Sequence, residues 1–172
     1  ACAVAVGAFD RACAATFLSR YGRLLYRRPL SAPELANAIN LSESAAGITG
    51  DFTKGLQAGL SRLLISPNFI FRVERAVPDP ASAGRLHLDA YSIAARISFL
   101  LWDAPPDEEL LAAAARDELG NRTLLAAQVD RMIASPRFEE GVRSFFFDMF
   151  GYDQFAGLAK DQAIFPKFNS EL

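Results

Sequence analysis

Helix-start signals recur at short intervals along this chain, and they limit its fold more than any other feature. Two of them are Ser-Pro pairs, Ser66-Pro67 and Ser135-Pro136. A Ser hydroxyl accepts hydrogen bonds from the free amides of a first helical turn, while Pro ends the incoming helix and fits the first position of the next one. Further helix starts are predicted at Ser31, Asp51, Asp89, Asp107 and Asn121.

Between these signals the apolar residues follow helical spacing, and strand-like alternation is nearly absent. Phe17, Tyr21 and Leu24 form one such stripe, and Ile93 and Ile97 belong to another. Spacing of three and four residues places side chains on one face of a helix. We therefore predict an all-α protein, a multi-helix bundle of short helices joined by Ser-Pro and Pro-rich corners.

An internal repeat suggests that the bundle has two related halves. The segment Arg62–Phe69 aligns with Arg131–Phe138, 69 positions later, and each is a helix end, a Ser-Pro corner and a new helix begun by Phe. Two prolines within 77–84 mark the best linker. We predict an N-terminal helical domain at 1–76, a linker at 77–87 and a second helical domain at 88–172, cut short at its C-terminus. Both chain ends look like those of a piece of a longer polypeptide.

The composition argues against several classes of function. A net charge of −2 provides no electrostatic footprint for nucleic acid, and no apolar run approaches the roughly 18–20 residues that span a bilayer. His87 is the only histidine, so the chain alone cannot assemble a Ser-His-Asp triad or a His-rich metal site. Cys2 and Cys13 do not form the Cys-x-x-Cys-His sequence of a c-type haem. No catalytic, cofactor-binding or metal-binding residue is therefore predicted in this segment.

The same two cysteines leave two alternatives open. On one continuous helix they would lie about 16 Å apart, too far for a disulfide. A turn at Gly7 would let them pair and close a short loop. The alternative is two buried free thiols, and the spacing alone does not decide between them.

Arginines are the most informative charged residues. Arg28 precedes a proline, Arg72 lies two residues before Glu74, and Arg96 lies on a largely apolar helix. An unpaired charge is costly on such a helix. We expect Arg28, Arg72 and Arg96 to bind carboxylates or helix-end carbonyls and to join helices; an anion-binding pocket is the functional alternative.

Carboxylates and aromatic rings also permit two interpretations each. The cluster Asp107–Glu109 lies at a helix start, where the helix dipole favours negative charge, although a pair of carboxylates is also what glycoside hydrolysis needs. Trp102 is expected to pack under Pro105-Pro106, and an exposed platform for a sugar ring is the alternative. The triplet 145–147, three phenylalanines, predicts a core helix with one ring turned outward, where it would contact another domain.

The N-terminal region resembles a known helical domain. Tyr21–Leu30, YGRLLYRRPL, followed by Glu34, is similar to its "FRRPLT-x-x-E" signature. The segment Phe52–Glu74 is similar to its continuation, which ends in "SPxFhhRxE" and reads SPNFIFRVE here. The resemblance gives Arg28, Glu34, Arg72 and Glu74 as motif positions.

The region after residue 88 resembles the domain that usually follows. Its "ASRLSYFLWxxxPDxxL" signature appears as Ala95–Trp102 with Pro106-Asp107, and its "RMLxDPR" signature as Arg131–Arg137. These paired domains of unknown function occur in large exported, often cytochrome-c-associated proteins of planctomycetes and myxobacteria. The resemblance implies an exported protein, periplasmic, outer-membrane-associated or extracellular, which favours the bridge between Cys2 and Cys13.

Three hypotheses on function follow. The first is a non-catalytic helical scaffold module that docks other domains of its polypeptide, or a redox or carbohydrate-active partner, through exposed aromatic surface. The second is the helical part of a haem-dependent oxidoreductase or electron-transfer protein whose haem c lies outside this segment. The third, weaker, is a polysaccharide-handling domain that uses Trp102 and Asp107–Glu109. No reaction is predicted.

Overall fold

The computed structural model describes residues 9–79, 82–157, 159–161 and 163–166. Helices dominate this part of the chain, which confirms the predicted all-α fold, and the only strands in it form a short antiparallel pair. The same part of the chain has two short 3-10 helices, Glu118–Gly120 and Tyr152–Gly157. The α-helices are α1 Arg11–Tyr26, α2 Ala32–Thr49, α3 Phe52–Leu64, α4 Pro67–Ile70, α5 Ala90–Trp102, α6 Glu108–Ala115, α7 Arg122–Ile133 and α8 Arg137–Met149; the strands are β1 Ala76–Pro78 and β2 Leu86–Leu88.

Six of the seven predicted helix starts carry the side-chain cap that the sequence indicated; α8 begins one residue later than predicted, with Pro136 at its N-cap position and no side-chain cap hydrogen bond there. Ser31 Oγ accepts from the amide of Glu34, whose carboxylate accepts in return from the amide of Ser31 at 2.7 Å, so the two form a capping box. One further cap was not predicted. Asp10 accepts a hydrogen bond from the amide of Cys13 at 2.9 Å and is the N-cap of α1. The predicted capping residues Ser66, Asp51, Asp89, Asp107, Asn121 and Ser135 all accept from amides in the first turn that follows them.

The first half has its own core, between α1, α2 and α3. Leu18 and Leu63 are fully buried there beside Ala38 and Ile39. Helices α2 and α3 approach closely because a glycine of α3, Gly59, lies against the backbone of α2. Small residues at a crossing let two helix backbones come together and bury their apolar stripes.

A second core lies among α5, α6 and α7, with α8 packed on α5. Leu110, Leu119, Met132 and Trp102 are buried in it. A Cβ on Gly141 of α8 would overlap the carbonyl of Leu101, so α8 crosses α5 at a point where only glycine fits. The helices of this half therefore surround a core that shares no buried residue with the first.

A β-hairpin connects the two halves in the region predicted as a linker. Strands β1 and β2 pair antiparallel with Val77 opposite His87, and His87 is exposed. Beyond the last paired residues, the amide of Asp79 donates to the carbonyl of Arg85 at 2.9 Å. The strands were not predicted from the sequence, because three residues are too few to show the alternation of apolar and polar residues that is typical of a strand.

The repeated Ser-Pro corner keeps its chemistry in both halves, but the helices after it differ. Ser66 Oγ and Ser135 Oγ each accept from the amide two residues later at 3.3 Å. Helix α4 then ends after four residues, whereas α8 continues for 13. Phe138 packs against the second core, while Phe69 is more exposed. The likeness therefore covers the corner and not the helix that follows it.

Candidate functional site

The motif residues of the first half form a polar cluster around Arg28. Its guanidinium donates to both carboxylate oxygens of Glu34, at 2.8 and 2.7 Å, and to the carbonyl of Pro29. Asn68, from the start of α4, donates to Glu34 at 3.3 Å. The hydrogen bond from Arg28, aided by those from Ser31, lowers the pKa of Glu34 to about 2 against the opposing effect of burial. The cluster fastens α2 and α4 to the end of α1.

Arg27 has a structural role that sequence analysis missed. It ends α1 in the left-handed conformation, with φ of 58°, and only 7% of it is exposed. Its guanidinium donates to the carbonyls of Asn68 and Phe71, at 2.5 and 2.8 Å, and to that of Phe69 at 3.4 Å. These carbonyls lie at the end of α4, where no later amide of the helix is available to them. The Arg27-Arg28-Pro29 run was the available signal, but only its second arginine was singled out.

Side chains of both halves meet along α5. Arg96 pairs with both carboxylate oxygens of Glu74, at 2.9 and 2.6 Å, and Ser92 accepts from the amide of Arg75 at 2.8 Å. A further ion pair joins Arg23 of α1 to Glu108 of α6. The contacts of Arg96 and Ser92 tie the segment after α4 to α5, and the ion pair of Arg23 ties α1 to α6.

The predicted partner of Arg72 was a carboxylate or a helix-end carbonyl, but the structure places its guanidinium against an aromatic ring. It lies 5.3 Å from the centroid of Phe99, and the guanidinium of Arg27 lies 5.9 Å from the same ring. Glu74, its neighbour in sequence, pairs with Arg96 instead. Two cations therefore flank one ring of α5.

The motif residues of the second half form a matching cluster around Trp102. Arg131 donates to both carboxylate oxygens of Asp107, at 2.7 and 3.1 Å, and lies 5.7 Å from the Trp102 ring. Arg137 stacks 4.1 Å above that ring, whose Nε1 donates to the carbonyl of Met132 at 2.9 Å. Trp102 is only 4% exposed, so the alternative of an exposed sugar platform is wrong.

The acidic cluster at the start of α6 is also committed to structural contacts. Asp107 accepts from the amide of Leu110 besides pairing with Arg131, which lowers the pKa of Asp107 although its burial acts in the opposite direction. Glu109 lies 3.2 Å from Arg131, and Glu108 pairs with Arg23. Among the described residues, no group of three His, Cys, Asp or Glu is placed to hold a metal ion. The Cys2–Cys13 pairing stays a prediction because Cys2 lies outside those residues.

Exposed aromatic residues cluster on α8 and on the 3-10 helix after it. We call this area the aromatic surface. The run of three phenylalanines at 145–147 was expected to form a core helix, but all three rings are exposed, Phe145 to 62% and Phe147 to 50%. The expectation was wrong because α8 meets α5 along the narrow face at Gly141, and no described element covers the rest. Met149 is also exposed. The aromatic surface consists of Phe145, Phe146, Phe147, Met149, Phe150 and Tyr152.

The rings of the aromatic surface contact one another. Phe146 and Phe150 stack with centroids 5.7 Å apart, and Phe147 meets Tyr152 edge to face at 5.9 Å. A shallow groove between Val142, Phe146 and Tyr152 runs along it. None of the helices in the described ranges is long and apolar enough to cross a membrane.

Comparison with known protein families gives one match in each half. No curated protein and no solved structure matched the chain. Residues 13–74 match the family PSD5, described as a protein of unknown function (DUF1595), and residues 88–172 match PSD4, described as a protein of unknown function (DUF1592). The two matches leave the β-hairpin region between them, and the two Arg-centred clusters fall one in each. Two successive stretches of the chain are thus similar to two families of unknown function, the first to PSD5 and the second to PSD4.

Proposed function

We propose that this chain is a helical scaffold module of a larger exported protein, and that its aromatic surface docks another domain of the same polypeptide. The observation that carries the proposal is the exposure of the rings on α8 and the following 3-10 helix. Large contiguous apolar areas are uncommon on monomeric proteins and mark interaction sites.

The polar motif residues support a scaffold rather than a catalyst. Two bidentate ion pairs are formed, one between Arg28 and Glu34 and one between Arg131 and Asp107. The carboxylate of each pair also caps the start of a helix. A catalytic acid or base must reach substrate, whereas these carboxylates are engaged by arginine and by backbone amides. Their arrangement stabilises the positions of the helices.

The composition of the aromatic surface suits a protein partner. Phe, Tyr and Met are enriched at the centres of protein interfaces, where aromatic rings provide much of the binding free energy. Charge lies at its margin, where Arg143 pairs with Glu139 one turn earlier on α8. An apolar centre with a polar rim is the usual anatomy of such an interface.

Export is supported by the resemblance of the motifs to domains of large exported proteins. A haem c, as part of the second hypothesis, would belong to another domain of the intact protein. The absorption spectrum of the intact protein tests that alternative: a Soret band that shifts on reduction would make electron transfer the next hypothesis.

Hydrogen–deuterium exchange tests the docking proposal. We expect amides of 142–152 to exchange at least tenfold more slowly in the intact polypeptide than in the 172-residue chain, because docking excludes water from α8. In the intact polypeptide, Phe146→Glu with Phe147→Glu should abolish that protection. Ile48→Glu, at an 87% exposed apolar residue on α2, is the matched control and should leave it unchanged. Equal exchange in both forms of the protein would contradict the proposal.

A further inference from the structure

Arginines converge on a crevice where the two halves meet. The arginine crevice lies between the end of α1, the segment after α4 and the first turns of α5. Five of the 15 arginines of the chain line it, although the chain as a whole is net negative. These are Arg27, Arg28, Arg72, Arg75 and Arg96, and the acidic residues that line it are Glu74 and Asp89.

The nearby carboxylates do not neutralise this charge. Glu74 is paired with Arg96, and Glu34 beneath the crevice is paired with Arg28. Asp89 caps α5 and accepts from the amide of Ser92 at 2.7 Å. No ion pair in the described part of the chain includes the three other arginines, Arg27, Arg72 and Arg75.

The three remaining arginines differ in their surroundings. Arg27 is buried, and its guanidinium contacts backbone carbonyls and the ring of Phe99 but no carboxylate in the described part of the chain. Burial lowers the pKa of Arg27, and the positive charges of Arg72 and Arg28 lower it further. Arg72 and Arg75 are exposed at the opening of the crevice. Three guanidinium groups without an ion pair in the described part of the chain therefore line the crevice, and that of Arg27 is poorly solvated.

We propose that the arginine crevice binds a single carboxylate group. A planar guanidinium matches a carboxylate in two-pronged geometry, and the protein already uses this pairing at Arg28 and at Arg96. The cavity is small, about 20 Å³, so the group that enters it must be small. The carboxylate belongs to a small organic acid or to a side chain of a polypeptide. This site is separate from the aromatic surface, and the proposal does not depend on docking there.

Titration with two probes tests the proposal. Acetate, replacing chloride at constant ionic strength, is added to the ¹⁵N-labelled chain, and the arginine Nε–H signals are followed by NMR. The second probe is the capped peptide acetyl-Gly-Glu-Gly-amide. We expect saturable shifts for Arg27 and Arg72 with both probes. Equal affinities would mean that the carboxylate alone is recognised, and tighter binding of the peptide would identify a polypeptide as the source.

Two matched variants separate the site from general attraction of anions to arginine. Arg72→Gln removes an exposed guanidinium at the opening, and it should weaken the binding of both probes about tenfold, the effect of losing a charge-assisted hydrogen bond. Arg122→Gln removes an exposed arginine of α7 that has no ion pair among the described residues, and it should change nothing. Thermal unfolding confirms that both variants are folded. Shifts that increase linearly without saturation, or that persist unchanged in Arg72→Gln, would overturn the proposal.

Discussion

Replacing Glu34 by Gln should destabilise the protein in a manner that depends on pH. Glu34→Gln keeps the shape of the side chain but removes the charge that Arg28 pairs with. The carboxylate accepts from Arg28 at 2.7 and 2.8 Å and from the amide of Ser31 at 2.7 Å, and its side chain is 24% exposed. These contacts favour the ionised form in the folded state only, so folding and ionisation of Glu34 are linked.

The magnitude follows from the pKa of Glu34, which is about 2 in the folded protein against an ordinary value of 4.5. One unit corresponds to about 1.4 kcal/mol, so the ionised carboxylate contributes about 3 kcal/mol to the free energy of unfolding. Because the folded-state pKa is depressed, this contribution is fully present above pH 4.5 and is lost as the pH falls toward 2. At pH 3 roughly half of it remains.

Urea unfolding of the wild type and of Glu34→Gln at pH 7 and pH 3 measures this contribution. The difference between the two proteins should be about 3 kcal/mol at pH 7 and about half of that at pH 3. Glu118→Gln is the control, since Glu118 pairs with Arg116 in an exposed, screened ion pair, and it should leave stability nearly unchanged. A difference that is the same at both pH values would refute the reasoning, because it would mean that the charge of Glu34 is not what stabilises the fold.

Two further predictions concern packing and the cysteines. Gly59→Ala should lower the free energy of unfolding by about 1–3 kcal/mol, because the new Cβ would overlap the side chain of a buried serine in α2. Gly47→Ala should instead raise the free energy of unfolding by about 0.5–1 kcal/mol, since nothing lies within 4 Å of its Cβ and alanine has the higher helix propensity. Denaturant unfolding of both variants checks the pair, and an equal effect at the two sites would contradict the close α2–α3 crossing. Protein isolated from an exported source should show a peptide mass for Cys2 linked to Cys13 before reduction and not after; alkylation of both thiols without reduction would contradict the bridge.

Local chemistry was the part of the fold that sequence could predict. A helix start depends on a capping side chain and amides two or three residues away, so all of these residues lie together in the sequence. The capping box of Ser31 and Glu34 and the cap of Asp107 are examples. Arg28 and Glu34 lie only six residues apart in one motif, but the sequence left the partner of Arg28 open between a carboxylate and a helix-end carbonyl.

Partners that are distant in sequence could not be assigned in this way. Arg96 pairs with Glu74, 22 residues away in the sequence, and Arg131 pairs with Asp107, 24 residues away. Only the packing of the helices brings these side chains together. Arg27 binds backbone carbonyls more than 40 residues away, and a carbonyl has no identity in the sequence. Helical periodicity likewise predicts which face of α8 is apolar, but not whether another element covers that face.

Because of the hairpin between the halves, the relative position of the halves does not depend on the length of the chain between the two strands. The pairing of Ala76 with Leu88 holds the exit of the first half beside the entrance of the second, whatever the chain does between the strands. Closing a longer loop costs only about 0.6 kcal/mol for each doubling of its length. Residues 79–85 are therefore a place where whole inserted segments, even a folded guest domain or a fluorescent reporter, can be accommodated while Arg96 and Glu74 keep the halves together.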